Sequence, residues 1–338
     1  MPGANVAVFG ATGAVGVEMI KILEERCFPV ENLRLLASRG GRSAKWRGCS
    51  VPVEGVGPSS FEGVQVALFA VEGDVSREWA PAAVRSGAVV IDNSSAFRMD
   101  PEVPLVVPEV NGEDIARHKG IIANPNCSTI IALVPLAPLH RAAGISRLVA
   151  STYQAVSGAG KAGLEELERQ ICDYAQDKSK PLGVSAFSYQ IAFNVIPHID
   201  AFDEGGYTKE ELKMRNESRK ILHAPDLRVS CTCVRVPVLR SHSESLTIET
   251  ERPLSPDQAR AILEGAPGVK VIDSPPDKAY PMPLFASDQD LIHVGRIRRD
   301  ESLEEGRSGL VLWVSGDQLR KGAATNAVQI AERVWSSR

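Results

Sequence analysis

The chain has 338 residues, 43% of them hydrophobic and 24% charged, with a net charge of −4. A chain of this length is more than one typical core accommodates and predicts two domains. The mild negative charge leaves no basic footprint for nucleic acid, and the longest apolar run, from Ile130 to Leu139, is far too short for a membrane span and contains two prolines. A strand pattern begins at Asn5 with no signal-peptide pattern before it, which points to the cytoplasm, where the six cysteines are expected as reduced thiols. Their spacing makes no zinc pattern. The closest pair, Cys231-Thr232-Cys233, lies in an apolar strand, so no metal is expected.

The first third of the chain alternates strands and helices. Asn5–Gly10 reads as a short apolar strand, Val15–Arg26 as an amphipathic helix, and Leu33–Ser38 and Val64–Val71 as buried strands. Val75–Ser86 follows as a helix, with Ala88–Asp92 and Ile121–Asn124 as further strands. This βαβ rhythm predicts an α/β, Rossmann-type, doubly wound parallel sheet. The middle of the chain changes character. Leu148–Val156 reads as a strand leading into a long helix, Gly160–Ala175. Two helices carry capping boxes, Thr208–Leu222 (Thr208 with Glu211) and Ser255–Glu264 (Ser255 with Gln258). Leu227–Val236, Glu244–Glu251, Leu291–Arg298 and Leu310–Ser315 read as long strands, giving an α+β catalytic and dimerisation domain with a mixed sheet. A last amphipathic helix, Leu319–Trp335, is expected to return to the first domain. The expected division is 1–126 with 318–338 for the dinucleotide and 127–317 for catalysis and dimerisation.

Gly10-Ala11-Thr12-Gly13-Ala14-Val15-Gly16 directly follows the first strand and opens the first helix. Glycines there let the backbone approach a pyrophosphate, and the helix start offers unpaired N–H groups and partial positive charge. A site for NAD usually has an acid at the end of the second strand. Here the strand ends Leu36-Ala37-Ser38-Arg39, with Arg42, Ser43 and Lys45 close behind. A hydroxyl and guanidinium groups suit a 2′-phosphate, so the dinucleotide is read as NADP.

Asn124-Pro125-Asn126-Cys127-Ser128-Thr129 follows the last short strand of the first domain, and an apolar helix begins near Ser128. A cysteine at a helix start gains from the dipole in its thiolate form. An acyl group carried on such a thiolate beside a nicotinamide needs an acid/base. Of the six histidines, His242 lies between two strands beside Arg235 and Arg240, His118 and His140 read as surface residues, and His198 and His293 sit in apolar stretches that suggest packing.

The segments GATGAVG (10–16), DNSSAFRMD (92–100), NPNCSTI (124–130), TYQAVSGAG (152–160), FNVIPHID (193–200), NESRKIL (216–222), VRVPVLRSHS (234–243) and GAATNAVQIAE (322–332) resemble the aspartate-semialdehyde dehydrogenase family along nearly the whole chain. The resemblance implies reductive dephosphorylation of L-4-aspartyl phosphate in aspartate-family amino-acid biosynthesis. It makes Cys127 the acyl-thioester nucleophile, His242 the acid/base and Gln154 the residue holding substrate near the thiol. Arg235 would bind the substrate carboxylate and Glu217 its amino group, while Arg98, Asn126 and Lys220 would hold the phosphate. Gly10, Thr12, Gly13, Ala14, Val15, Gly16, Ser38, Arg39 and Ser43 would contact NADP, with Ser157, Gly158 and Gln318 near the nicotinamide. A homodimer or homotetramer is implied, with no membrane or nucleic-acid partner. The loop 38–45 carries extra glycine and arginine relative to the family's usual pattern. The related N-acetyl-γ-glutamyl-phosphate reductases have Gly before the cysteine and Tyr-Pro after it, which Asn126 and Ser128 disfavour. Malonyl-CoA reductases would need no phosphate pocket, and a catalytically silent NADP-binding regulator would tend to lose Cys127 or His242.

Overall fold

The computed structural model describes residues 3–337. The chain falls into two compact units, one of residues up to Cys127 together with those from Gly322 onward, the other Ser128–Lys321.

The first unit contains β1 (Ala4–Phe9), α1 (Ala14–Glu25), β2 (Val30–Ala37), β3 (Arg42–Trp46), β4 (Cys49–Gly55), β5 (Val66–Phe69), α2 (Gly73–Arg85), β6 (Val89–Asp92), α3 (Pro108–Asn111) and β7 (Ile121–Ala123). Its seven-stranded sheet runs β3-β4-β2-β1-β5-β6-β7 and is parallel except for the β3–β4 pair. The strands β5 and β6 are buried at every position, as expected of a sheet covered on both faces. On one face, Met19, Ile20, Ile22 and Leu23 of α1 share a core with Ala327, Val328, Ile330, Ala331 and Val334 of the chain's last helix, Thr325–Ser336. On the other, Phe9, Phe61 and Phe69 cluster, with the Phe9 and Phe69 rings edge to face at 5.2 Å. β1 has β2 on one side and β5 on the other, so the chain order reverses at β1. Open sheets of this kind bind ligands beyond the strand ends at that reversal, and the glycine turn lies there.

The β3–β4 hairpin differs from the expectation of a loop over 38–45. Trp46 pairs with Cys49 across the two-residue turn Arg47-Gly48, in which both residues have positive φ (48° and 78°). That is the turn geometry that matches the twist of paired strands. Both strands are mostly exposed, and the alternation they carry (Ala44 and Trp46; Cys49, Val51 and Val53) is only two or three apolar residues long in each and interrupted by Pro52, which is why periodicity does not find them.

The second unit contains α4 (Cys127–Ala143, whose first residue closes the other unit), β8 (Ile145–Gln154), α5 (Gly160–Gln176), α6 (Lys209–Ile221), β9 (Arg228–Arg235), β10 (His242–Thr250), α7 (Pro256–Glu264), β11 (Val269–Val271), α8 (Pro283–Ala286), β12 (Ile292–Arg299) and β13 (Ser308–Gly316). The sheet order is β11-β12-β13-β10-β8-β9, antiparallel in the middle and parallel in the β8–β9 and β11–β12 pairs. Both predicted capping boxes are present, at Thr208 and Ser255. The expected last helix starts later than Leu319, because a π-helical turn over Arg320–Ala324 precedes it. Among the described residues, no helix is long and apolar enough to cross a membrane.

Candidate active site

The turn after β1 shows what each glycine is for. Gly10 has φ +92°, and a Cβ there would lie 2.1 Å from the Ala70 carbonyl oxygen. A Cβ on Gly16 would lie 2.1 Å from the Gly10 oxygen, so helix and strand meet this closely only without side chains. Gly13 is different. It meets nothing nearer than 3.4 Å, and it is the N-cap of α1 with no capping side chain among the described residues and no acid in the first turn. Thr12 and Gly13 are exposed, so the open helix start faces outward as a phosphate-binding turn requires. Ser38, Arg39, Arg42, Ser43 and Lys45 are all exposed, the first two just past β2 and the last three on β3.

The Cys127 turn is built on polar seats within the first unit. Asn124 donates from Nδ2 to Asn93 Oδ1 (2.9 Å), and its Oδ1 accepts from Asn326 Nδ2 (2.7 Å). Arg98 is buried and donates from Nε to the Asn124 carbonyl (2.9 Å) and from Nη2 to the Asn93 carbonyl (2.8 Å). A guanidinium is thereby fixed to the backbone three residues before the cysteine. Asn126 is buried, and Cys127 is a half-buried thiol that opens α4, whose first turn contains no acid to oppose the dipole.

In the second unit, strand register brings chemistry to one end of the sheet. β8 and β9 run parallel and finish opposite each other at Gln154 and Arg235. β10 runs the other way and starts at His242, opposite Gly316 at the end of β13. His242 is wholly buried and its Nδ1 accepts the Ala155 N–H at 3.0 Å. Burial, and then the Arg235 cation, push its pKa well below the usual histidine range. The ring is therefore neutral, and with Nδ1 accepting, its one proton sits on Nε2. Arg235 Nη1 donates to the Ala155 carbonyl at 2.6 Å, so one residue's backbone orients both groups. Ser241, before the histidine, is buried with φ +72°, a strained conformation held by its N–H to Gln318 Oε1 (2.9 Å). Gln318 in turn donates to Ser157 Oγ. A Cβ at Gly158 would lie 2.8 Å from Arg235 Nη1 and 3.2 Å from His242 Cε1, so this glycine keeps the approach to both open.

Gln154, Arg235, His242, Ser157, Gly158 and Gln318 thus gather around one sheet end. Glu217 is buried and Lys220 half-buried on α6, where Glu217 shares a face with Glu210, two turns earlier. His293 is packed as expected. His198 corrects the expectation of packing: it is half-buried in a loop, stacked on the exposed ring of Phe202 at 4.5 Å, because the apolar stretch around it is a surface segment.

Two buried glutamates beside this cluster escape the sequence reading. Glu210 accepts from Gln154 Nε2 at 3.2 Å. Its sequence signal is the pair Glu210-Glu211 in the first turn after a capping threonine, of which the box uses only the second. Glu244, in β10, is wholly buried, and neither carboxyl oxygen has a hydrogen-bond partner among the described residues. Burial, then the neighbouring Cys233 and Glu210, push its carboxyl well above the usual carboxylate range. A raised carboxyl pKa contributes its full stability below the unfolded value, and that contribution is lost as pH rises toward the folded value. Glu244→Met removes the loss. Its melting temperature is expected to exceed the parent's at about pH 8, by the equivalent of about 1 kcal/mol or more, with the gap closing toward about pH 5. Thermal melts across that range test this, and a gap independent of pH would refute it.

A dinucleotide-type turn on a doubly wound sheet, joined in one chain to a helix-start thiol and a neutral buried imidazole, defines a nicotinamide-dependent dehydrogenase acting through a thiol. Family models agree with this class: residues 5–118 match the semialdehyde dehydrogenase NAD binding domain, and residues 136–321 match the semialdehyde dehydrogenase dimerisation domain. The aspartate-semialdehyde dehydrogenase of Aquifex aeolicus is 53% identical over 335 residues, spanning 98% of this chain and 97% of that protein. The crystal structure of aspartate semialdehyde dehydrogenase II from Vibrio cholerae complexed with ASA superposes with a TM-score of 0.94 at 47% identity, covering 98% of both chains. That of the Candida albicans enzyme with NADP does so at 0.75 and 26% identity, again over 98% of each. The chain belongs to the aspartate-semialdehyde dehydrogenase family.

Proposed function

We propose that the chain catalyses the NADPH-dependent reductive dephosphorylation of L-4-aspartyl phosphate to L-aspartate 4-semialdehyde, through a thioacyl intermediate on Cys127. The observation that carries this reading is the Cys127 turn itself, a half-buried thiol at a helix start with Arg98 pinned to the Asn124 carbonyl just before it. The Vibrio cholerae relative complexed with ASA supports the substrate.

Cys127 attacks the acyl carbon, and the phosphate departs with the electrons of the broken C–O bond toward Arg98, Asn126 and Lys220. Backbone N–H groups at the start of α4 stabilise the oxyanion. Gln154 orients the acyl group, Arg235 pairs with the substrate carboxylate and Glu217 faces its ammonium. The bound nicotinamide supplies hydride to the thioester carbon. His242 shares its Nε2 proton with the carbonyl oxygen as that oxygen gains charge and takes it back as the tetrahedral adduct collapses, breaking the C–S bond, freeing the aldehyde and restoring the thiolate. The glycine turn Gly10–Gly16, with Thr12, Gly13, Ala14 and Val15, receives the pyrophosphate, and Ser157, Gly158 and Gln318 flank the nicotinamide.

NADP is the proposed dinucleotide. The exposed Ser38, Arg39, Arg42, Ser43 and Lys45, with no acid at the end of β2, support it, as does the NADP-bound Candida albicans relative. Arg39→Glu is expected to raise KM for NADPH by about tenfold or more while changing that for NADH little, since a charge-assisted pair to the 2′-phosphate is replaced by repulsion. Equal effects in steady-state assays with both cofactors would refute the 2′-phosphate role. We also assign 1–126 with 318–338 to dinucleotide binding and 127–317 to catalysis and dimerisation, in a cytoplasmic homodimer or homotetramer. The reading as a whole is tested by phosphate-dependent reduction of NADP⁺ with aspartate semialdehyde. A chain that binds NADP but shows no such turnover would sink it.

A further inference from the structure

We propose that Glu210 is a positioning residue for this reaction, fixing which end of the Gln154 amide faces His242. The proposal rests on the reading above, in which Gln154 and His242 serve the reacting group.

Glu210 and Glu211 are adjacent in the first turn of α6, yet their tasks separate. Glu211 is consumed by the fold: Oε2 accepts the Thr208 N–H (2.7 Å), its own N–H donates to Thr208 Oγ1 (3.3 Å), and Oε1 accepts the Cys233 N–H (3.0 Å). The helix start is capped without Glu210. Glu210 is only 6% exposed and turns toward the sheet end, where its Oε1 accepts from Gln154 Nε2 (3.2 Å). Its Oε2 accepts from Lys213 Nζ (3.1 Å), and Lys213 also donates to Asp200 Oδ2 (2.8 Å).

The two ends of a glutamine amide have nearly the same shape, so neighbours decide the orientation. Thr152 Oγ1 donates to Gln154 Oε1 at 3.0 Å, but a hydroxyl also accepts, so Thr152 alone would tolerate either orientation. A carboxylate only accepts. Glu210 therefore requires the NH₂ end on its side. That same Nε2 lies 3.5 Å from His242 Nε2, the atom that carries the imidazole proton because Nδ1 accepts from Ala155. An NH₂ group cannot accept that proton. In the flipped orientation the amide oxygen would take it in a buried hydrogen bond and hold it away from the substrate. Glu210 excludes the flip because its Oε1, 3.2 Å from that position, would then face the amide oxygen, acceptor against acceptor. It thereby keeps the histidine proton for the reacting oxygen.

The test is a double-mutant cycle of Glu210→Gln and Gln154→Ala in the full-length enzyme, read as kcat and KM for aspartate semialdehyde. The amide introduced by Glu210→Gln can donate as well as accept, so the orientation is no longer imposed while size and fold are kept. In the parent, Glu210→Gln is expected to lower kcat by about tenfold or more with KM changed by less than about threefold. In the Gln154→Ala background, where there is no amide to orient, the same substitution should change kcat by less than about twofold. Equal losses in the two backgrounds, or no loss in the parent, would overturn the proposal, since a helix-end or Lys213-pairing role acts regardless of residue 154. If Glu210→Gln does not fold, Glu210→Asp carried through the same cycle reads the same coupling. A parent enzyme without phosphate-dependent turnover sinks the activity and this proposal together, whereas an active parent with additive losses sinks this proposal alone.

Discussion

Cys127→Ser is expected to lower kcat by at least about 10³-fold while leaving NADPH binding intact. The two side chains differ by one atom, so packing at the start of α4 is kept. What changes is nucleophilicity. The half-buried thiol sits where the first N–H groups of a helix favour an anion, and no acid in the first turn opposes them. A hydroxyl has an intrinsic pKa far above any working pH and gains little from the same dipole. In the proposed reading cofactor affinity comes from the Gly10–Gly16 turn, whose geometry depends on Gly10 and Gly16 rather than on the thiol. Steady-state turnover and NADPH titration of the same preparation provide the check. Alkylation gives an independent line, but Cys27, Cys49 and Cys172 are exposed and react too, so the site must be mapped by peptide mass rather than by thiol count. Near-parental turnover of the serine variant would remove Cys127 from the chemistry.

The parts of this molecule that the sequence discloses are those where a local rule and the global fold agree. The βαβ rhythm, the glycine turn after β1 and both capping boxes follow from patterns a few residues long, and the structure bears them out. The β3–β4 hairpin escapes because its strands are short and mostly exposed, with an apolar alternation of only two or three residues in each that Pro52 interrupts. The sheet-end cluster is legible only in part. Arg235 and His242 draw notice as charged and titratable residues bounding apolar strands. That Gln154 lies opposite Arg235 depends on the parallel β8–β9 register, which no short window contains. Glu210 is less visible still. A glutamate in a first helical turn looks like an ordinary favourable charge, and only the tertiary placement of α6 shows that it points inward at Gln154. Glu244 shares the parity of Leu246 and Ile248, so the period of two puts it on the buried face of β10, but a charged residue there breaks the apolar pattern that would mark it.

His242→Asn separates the two nitrogens of the ring. An asparagine oxygen can take the place of Nδ1 and keep the hydrogen bond from the Ala155 N–H, while the atom corresponding to Nε2 is lost. If the proton on Nε2 is what the reaction uses, kcat should fall by about 10²–10⁴-fold with KM for NADPH nearly unchanged. His242→Gln makes the opposite exchange, placing a donor near Nε2 but giving up the Nδ1 anchor, and it should not restore the rate, because the Ala155 N–H no longer aims that donor at the reacting oxygen. The pH dependence of stability carries a sign of its own. The histidine is held neutral by burial and by Arg235, with its pKa well below 6.5 in the folded chain. As pH falls below about 6.5 the unfolded chain binds a proton that the folded chain refuses, so the parent loses stability in that window. Asparagine does not titrate, so the variant's stability relative to the parent should rise as the solution is made more acidic, even though its turnover is crippled. Thermal melts from about pH 8 to about pH 5 alongside initial rates examine both claims on one protein. A variant with kcat within about threefold of the parent would show that Nε2 is not the proton donor. A stability difference constant with pH would show that the imidazole is not held neutral by its surroundings.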